Sequence, residues 1–350
     1  MNTRLLLLSL LAACAAGGGR PAQANKLVDH WKIRGVALGH YTEISPSELK
    51  RKLQEIKELN ATHVTVVAQW SMKDVRDERI APRKGHTTSD ATLVRMIAQA
   101  KAMGFAVHLF PMIDVQKRKP LEWRGTIKPA SWERWWQSYR RFILHYATIA
   151  KRSGADIFCV GSELVTTENQ TQRWQALIAE VRRRYRGQLL YSANWDHYQP
   201  VTFWQHVDLI GLTAYYTIAK TNDDTAEQMT QAWGEIRNKL VAWSRRQKRR
   251  LLFTEVGYPS LDGGAVNPWD YTQNTYPDPE EQRRAYVAFA RAWSGVDELA
   301  GVFFWDWYGK GGLKDRRYTA RNKPAAQVIR RWFAAGLSSL PLGSPAPNQR

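Results

Sequence analysis

Cysteine is almost missing from this chain of 350 residues: there are two, and Cys14 lies within the first stretch of the sequence. The other, Cys159, sits inside an apolar run, so no intramolecular disulfide framework is available and stability has to come from a large hydrophobic core. A 44% apolar content over this length can supply one. Beyond the first residues, no segment has the roughly eighteen uncharged apolar residues of a membrane span. No Gly-x-Gly-x-x-Gly follows the first strand-like run and no phosphate-cradling loop occurs, which argues against dinucleotide and nucleotide chemistry. Histidines are few and scattered, with His40, His108 and His197 in no recognisable ligand spacing, so neither a metal nor another cofactor is expected. Acidic residues are outnumbered, 32 against 51 Lys and Arg, leaving a formal charge of +19. The basic residues are spread along helix-like stretches (Arg182-Arg183-Arg184, Arg245-Arg246, Lys248-Arg249-Arg250, Arg330-Arg331) with no nucleic-acid-binding motif beside them. That pattern excludes nucleic acid as the expected partner. It leaves solvated basic helix faces, or attraction to an anionic envelope or acidic glycan.

The ends separate from the fold. Met1-Asn2-Thr3-Arg4 is a short basic start and Leu5 to Ala13 is an apolar stretch too brief to cross a bilayer, which together read as an export signal. Two cleavage sites present themselves: Leu11-Ala12-Ala13-Cys14 resembles a bacterial lipobox that would leave Cys14 lipidated, and Ala22-Gln23-Ala24 has an ordinary small-x-small pattern. Either places the protein outside the cytoplasm, in the cell envelope or secreted, with membrane contact only through a lipid on Cys14. The expected organisation is a leader over 1–24, one folded domain over 25–336 and a loose Ser/Pro/Gly-rich tail over 337–350.

The middle alternates short apolar, β-branched runs with longer helical patterns. The strand-like runs are Ile33 to Leu38, His63 to Ala68, Ala106 to Met112, Ile157 to Gly161, Leu189 to Ala193, Leu209 to Thr213, Leu251 to Thr254 and Gly301 to Trp305. Between them lie helical patterns over Pro46 to Leu59, opened by Ser45; Asp90 to Met103, stopped by Gly104; Trp132 to Ser153, stopped by Gly154; Asn169 to Tyr185; Thr225 to Gln247; and Pro279 to Trp293. Only a shorter segment near Pro200 to His206 leads into the sixth strand. Continuous apolar strands alternating with helices imply a parallel sheet covered on both faces. Eight such strands at this length predict a single-domain α/β fold, a closed (β/α)8 TIM barrel.

Two strand-like runs end on an acid: Ile157-Phe158-Cys159-Val160-Gly161-Ser162-Glu163 and Leu251-Leu252-Phe253-Thr254-Glu255. Ending a buried run on a carboxylate makes sense where the strand opens into a cleft. In such a barrel the C-terminal strand ends form the active face, which puts Glu163 and Glu255 past strands four and seven. Three strand steps around a ring of about 7 Å radius separate the backbones by roughly 13 Å, and inward side chains of about 4 Å each leave a gap near 5 Å. A gap of about 5 to 5.5 Å is that of a retaining glycosidase, in which one carboxylate attacks the anomeric carbon and the other protonates the leaving oxygen. Two nearby carboxylates resist double ionisation, so one of them holds a proton to give.

The motifs Gly161-Ser162-Glu163-Leu164, Thr254-Glu255-Val256-Gly257-Tyr258 and Phe304-Trp305-Asp306-Trp307 resemble those of clan A glycoside hydrolases, and most of all glycoside hydrolase family 113, over nearly all of Ile33 to Phe333. The resemblance implies Glu163 as acid/base, Glu255 as nucleophile, Trp305 as the platform under the sugar at the cleavage point, and a β-mannanase-like activity on an oligo- or polysaccharide. One departure is that clan A enzymes commonly carry Asn directly before the acid/base, to bond the sugar 2-hydroxyl. Here Ser162 stands there, so Ser162 or Asn194 has to take that part.

Further expectations surround the pair. Tyr215 or Tyr216 is placed to donate a hydrogen bond to Glu255, and Asp114, Asp196 and Asp306 are expected to hold loops together. The sixteen tryptophans exceed ordinary usage, and stacking on a pyranose face is a reason to expose some. Trp70, Trp195 and Trp269 are expected in loops on the active face as sugar contacts, whereas Trp135, Trp136 and Trp243 fall within helices and belong to the core. The long stretch Pro259 to Pro279 is a candidate lid. The competing reading is a non-catalytic, glycan-binding envelope lipoprotein on a hydrolase-like barrel, which would gain little from two desolvated carboxylates. The leader reading has a direct test in the intact mass of the protein from a bacterial membrane fraction. A chain starting at lipidated Cys14 supports the lipobox, a start at Asn25 supports the second site, and an uncleaved chain refutes both.

Overall fold

The computed structural model describes residues 32–340; the leader with Cys14 and both cleavage sites, and the last part of the tail, lie outside the described residues. Eight parallel strands close on themselves in sequence order: β1 (Ile33–Ala37), β2 (His63–Met72), β3 (Ala106–Val115), β4 (Ile157–Ser162), β5 (Gln188–Ala193), β6 (Leu209–Thr213), β7 (Leu251–Val256) and β8 (Leu299–Phe304). The ring shuts where β1 pairs with β8, Ile33 opposite Gly301 through Val36 opposite Phe304. Among the described residues seven α-helices cover it: α1 (Pro46–Glu58), α2 (Asp90–Ala102), α3 (Trp132–Ser153), α4 (Thr171–Arg184), α5 (Ala226–Gln247), α6 (Pro279–Trp293) and α7 (Pro324–Ala334). The link from β5 to β6 carries only a 3-10 turn, Trp204–His206, in agreement with the short segment read there. The expected barrel is therefore present. Helix α7, marked in the sequence only by Arg330-Arg331, completes the layer under β8.

Local chemistry accounts for the helix ends. The side chains of Ser45, Ser89, Ser131, Thr225 and Asp278 each accept a bond from a first-turn amide, satisfying donors that have no partner within the helix. Gly154 ends α3 in the left-handed region at φ 70°, where a side chain would be strained. Strand boundaries differ more. Both β2 and β3 run past the expected ends, their register continuing to Met72 opposite Val115, so Trp70 and Asp114 lie within strands and not in loops beyond them.

Alternation divides the core in two. Side chains such as Val64, Val66, Phe158 and Phe253 join the helices in the outer cluster, while Ile33, Val67, Phe110, Cys159, Leu190, Leu252 and Phe303 form a second cluster, consistent with the inside of the ring, on which Tyr41 and Trp305 pack. Burial drives the His108 pKa down to about 3, and its neutral ring packs 5.0 Å from both Phe110 and Phe303. This histidine is a core residue. Gly35 faces the same filling: a Cβ there would lie 2.1 Å from Cδ1 of the fully buried Phe303. Gly35→Ala is expected to destabilise the protein by about 1–3 kcal/mol through overpacking, read as a lower urea midpoint at unchanged slope. An unaltered midpoint would contradict this packing.

Candidate active site

Glu163 leaves β4 through a left-handed turn, φ 54°, and its amide donates to the Ser192 carbonyl of β5 at 2.8 Å. Glu255 is the penultimate residue of β7, one position inside the strand and not past it. The glycine that follows shortly after has a spatial reason: a Cβ on Gly257 would meet the Trp305 carbonyl oxygen at 2.8 Å and the Tyr318 ring at 2.9 Å. Both carboxylates are desolvated, with Glu163 6% and Glu255 3% exposed. Each has one charged or polar anchor. Arg124 donates from Nη2 to Glu163 Oε2 at 2.7 Å, and Tyr215 donates its hydroxyl to Glu255 Oε2 at 2.6 Å. The second oxygen of Glu255, Oε1, is buried and has no hydrogen-bond partner among the described residues.

Burial and, after it, repulsion from the Glu163 carboxylate push the Glu255 pKa up to about 8, against the opposing pull of Arg124 and of the Tyr215 hydroxyl. The two acids therefore sense one another's charge, as their separate strands were expected to allow. Burial opposes the charge on Arg124, but Glu163 and then Glu255 more than offset it, so the guanidinium pKa is raised. A single cation thus serves two carboxylates. Burial thus favours a proton on Glu255 in the free site, whereas the sequence argument put the proton on Glu163, the acid that Arg124 touches directly.

The remaining expected residues divide. Trp305 is half-buried on the barrel filling, 6.3 Å from the Tyr41 ring, and its peptide bond to Asp306 is cis. Tyr215 and Tyr216 part company, since the Tyr216 hydroxyl has no partner and its ring packs against Trp195 and Trp233, away from Glu255. Trp195 in turn stacks on Trp269 at 5.7 Å and 24°, with Trp269 exposed at the start of a solvent-facing aromatic stretch. Ser162 is buried beside Glu163 with an unpartnered hydroxyl. Asn194 is half-buried, its amide donating to Asp196 at 2.6 Å and its carbonyl accepting from Thr213 at 3.4 Å. Trp70 departs from expectation. Its ring lies against Phe142, His145 and Tyr146 of α3, 5.2 to 6.0 Å away, because the longer β2 turns this side chain to the helical layer. Trp135, Trp136 and Trp243 are core residues as read.

Several residues at the site carried no sequence signal. Arg124, in a 3-10 turn (Arg124–Thr126) after β3, is one arginine among many. Tyr41 donates to Asp306 at 2.6 Å, and Tyr318 lies 5.6 Å from the Tyr215 ring while its hydroxyl donates to the Pro268 carbonyl of the long loop. Behind Glu163, the Leu164 amide donates to the Tyr191 hydroxyl, which donates to the buried Glu168; His197 bonds the other Glu168 oxygen at 2.8 Å. The Tyr215 contact alone had a usable signal, a polar aromatic directly past a strand end. Among the described residues, the grouping of His, Cys, Asp and Glu close enough to share an ion is Asp262, Asp278 and Glu281, in and beside the long loop and not between the two acids. Glu281 there accepts from the Gly263 and Ala265 amides, and Asp278 caps α6.

Burial also raises Asp306 to about 6 and Glu281 to about 7. A raised carboxyl pKa means that between the unfolded value and the folded one the native state holds a proton that the unfolded chain has lost. The stability so contributed is complete below the unfolded value of about 4.5 and disappears as pH rises through about 8 for Glu255. The melting temperature is expected to fall from about pH 5 to about pH 9, and Glu255→Gln, which cannot ionise, to flatten part of that fall. Calorimetry of both proteins across the range checks this, and equal slopes would contradict it.

The profile of Glycoside Hydrolase Family 113 matches residues 36–325. Among solved structures, the fold is similar to a family 113 β-mannanase from Alicyclobacillus acidocaldarius in complex with ManMIm, at 31% identity and TM-score 0.79 over 88% of this chain and 99% of that one. It is similar also to a family 113 β-1,4-mannanase at 25% identity and TM-score 0.78, over 87% and 99%. No curated protein is significantly similar. With the family profile spanning the barrel from β1 to α7 and the paired carboxylates at its rim, the chain belongs to glycoside hydrolase family 113 and is a glycoside hydrolase.

Proposed function

We propose that this hydrolase cleaves β-1,4-linked mannan or manno-oligosaccharides with retention of configuration, using Glu255 as nucleophile and Glu163 as acid/base. The observation that carries the reading is the state of Glu255: Tyr215 holds Oε2 while Oε1 is buried, unpartnered and close enough to Glu163 for their charges to interact. An oxygen free of hydrogen bonds in a desolvated site is a strong nucleophile toward developing positive charge at an anomeric carbon. The mannan assignment is supported by the two family relatives, both of which are mannanases.

The steps follow from the electrostatics. For attack, the shared proton has to stand on Glu163, and a glycosidic oxygen accepting from that carboxyl favours this placement. Once Glu163 is neutral, Glu255 is relieved of its repulsion, and Tyr215 and Arg124 stabilise its anion. Attack by Oε1 forms the glycosyl ester as the proton passes to the leaving oxygen. The ester carries no charge, so Glu163 ends as an anion paired with Arg124 and can take a proton from water, which then releases the sugar with its original configuration. Trp305 supports the ring being cleaved, and Trp195 with Trp269 offers a stacked aromatic surface further along the cleft. Ser162 or Asn194 bonds the sugar 2-hydroxyl, Ser162 having an unpartnered hydroxyl next to the acid/base. Export by the leader, with or without a lipid on Cys14, puts this activity in the cell envelope or medium.

On β-mannan, Glu163→Gln is expected to lower kcat about 10²- to 10⁴-fold and Glu255→Ala at least as much. Azide should rescue Glu255→Ala on an activated aryl β-mannoside, giving the α-glycosyl azide by direct displacement. NMR of the first wild-type product should show the β-anomer. An α-anomer would refute retention, and hydrolysis surviving both replacements would refute the residue assignment. A wild type inactive on mannan but active on another β-linked glycan would overturn the sugar alone.

A further inference from the structure

Next to the cleft, between the loop after β1 and the loop after β8, lies a cavity of about 720 Å³ that the mechanism does not use. Its wall carries Arg51, Lys52, Lys310 and Arg321 against a single carboxylate, Glu48. Two of those cations are not surface residues: Lys52 is 3% and Arg321 7% exposed. Glu55 answers Arg321, accepting from its Nη2 at 2.5 Å, but it also accepts from Arg51 and from the Trp307 indole, and Arg321 Nε has no partner. Lys52 has no carboxylate within ion-pair reach among the described residues. Its ammonium meets two carbonyls at long distance, Trp307 at 3.3 Å and Gly39 at 3.5 Å.

A comparison within the chain sharpens the point. Lys323, also buried, has Asp315 at 3.2 Å. An ammonium removed from water with no carboxylate in direct contact is costly, and burial lowers the Lys52 pKa despite the more distant charges of Glu48 and Asp306. A chain that keeps such a group on a cavity wall, with Arg51, Lys310 and the Arg321 guanidinium beside it, has a site suited to an oxyanion.

The cavity borders the sugar platform through Tyr41. Tyr41 lines it, donates to Asp306 and stands 6.3 Å from the rings of both Trp305 and Tyr308. A glycan lying on Trp305 can therefore extend past Tyr41 into the basic wall. We propose that this cavity is a subsite for an oxyanion carried by a sugar unit of the substrate, either the carboxylate of a uronic acid or a phosphate ester, so that the enzyme takes acidic or acid-decorated β-glycans besides any neutral chain. The inference rests on the assigned cleft, but its test needs no turnover.

Titration calorimetry of the full chain at low salt, with D-glucuronate, inorganic phosphate and D-mannose as probes, reads the site directly. Binding of glucuronate or phosphate below about 10 mM, with mannose clearly weaker, is the expected result. Preference for glucuronate identifies a carboxylate subsite, and preference for phosphate identifies a phosphate-ester subsite. Lys52→Met should weaken the preferred anion about tenfold or more, while Arg183→Ala on the distant face of α4 should leave it unchanged. Should Lys52→Met fail to fold, Arg51→Ala combined with Lys310→Ala on the exposed rim decides the matter, with several-fold weaker binding expected. Absence of binding by both anions, or equal weakening by Arg183→Ala, would overturn the proposal. Because binding is read without catalysis, a protein that hydrolyses neutral mannan yet binds neither anion refutes this subsite alone, and one that binds an anion yet leaves mannan intact refutes the mannan reading alone.

Discussion

Two carboxylates share a water-poor rim with one guanidinium, and this imbalance of charge is the constraint around which the rest of the site is arranged. Glu163 and Glu255 cannot both ionise cheaply while Arg124 is the cation between them, so a proton is retained within the pair at a pH where isolated carboxylates have lost theirs. Retaining a proton is what acid catalysis requires, and being able to hand it from one member to the other is what a two-step displacement requires. Tyr215 biases the hand-over, since its hydroxyl stabilises the Glu255 anion when that anion forms. The barrel supplies the rigidity. Both acids stand at the ends of strands buried on both faces, so neither can relax toward water to escape the other.

Much of this was legible before any coordinates, for physical reasons that can be named. Parallel strands covered on both sides must be apolar throughout, so runs such as Leu251 to Thr254 stand out against the amphipathic helices, and an acid at the end of such a run has few explanations. Capping residues are equally local, and Ser45 and Gly154 mark helix ends in the sequence as they do in the structure. Strand ends in a barrel are less local. The pairing of β2 with β3 continues because each strand lends the other its hydrogen bonds, and nothing within either segment announces that extension; Trp70 was misplaced for that reason.

Arg124 was invisible for a different reason. A residue whose importance lies in a contact between a loop after β3 and an acid after β4 has no periodicity or spacing to betray it, and in a chain this rich in arginine its type carries no information. The same holds for the buried relay from Leu164 through Tyr191 to Glu168 and His197, which fixes the backbone immediately after Glu163. The choice between Tyr215 and Tyr216 was open because neighbouring residues point to opposite sides, and only the register of the strand end determines which faces the pair.

The bond from Tyr318 to Pro268 has a mechanical corollary. The long aromatic loop following β7 is fastened through that hydroxyl to a ring that leans on Tyr215, and Gly257 leaves no slack between this ring and the strand bearing Glu255. A glycan pressing on the loop would act on Tyr318 and, through it, on the ring that holds Glu255, which under the proposed mechanism links remote sugar units to the attacking oxygen.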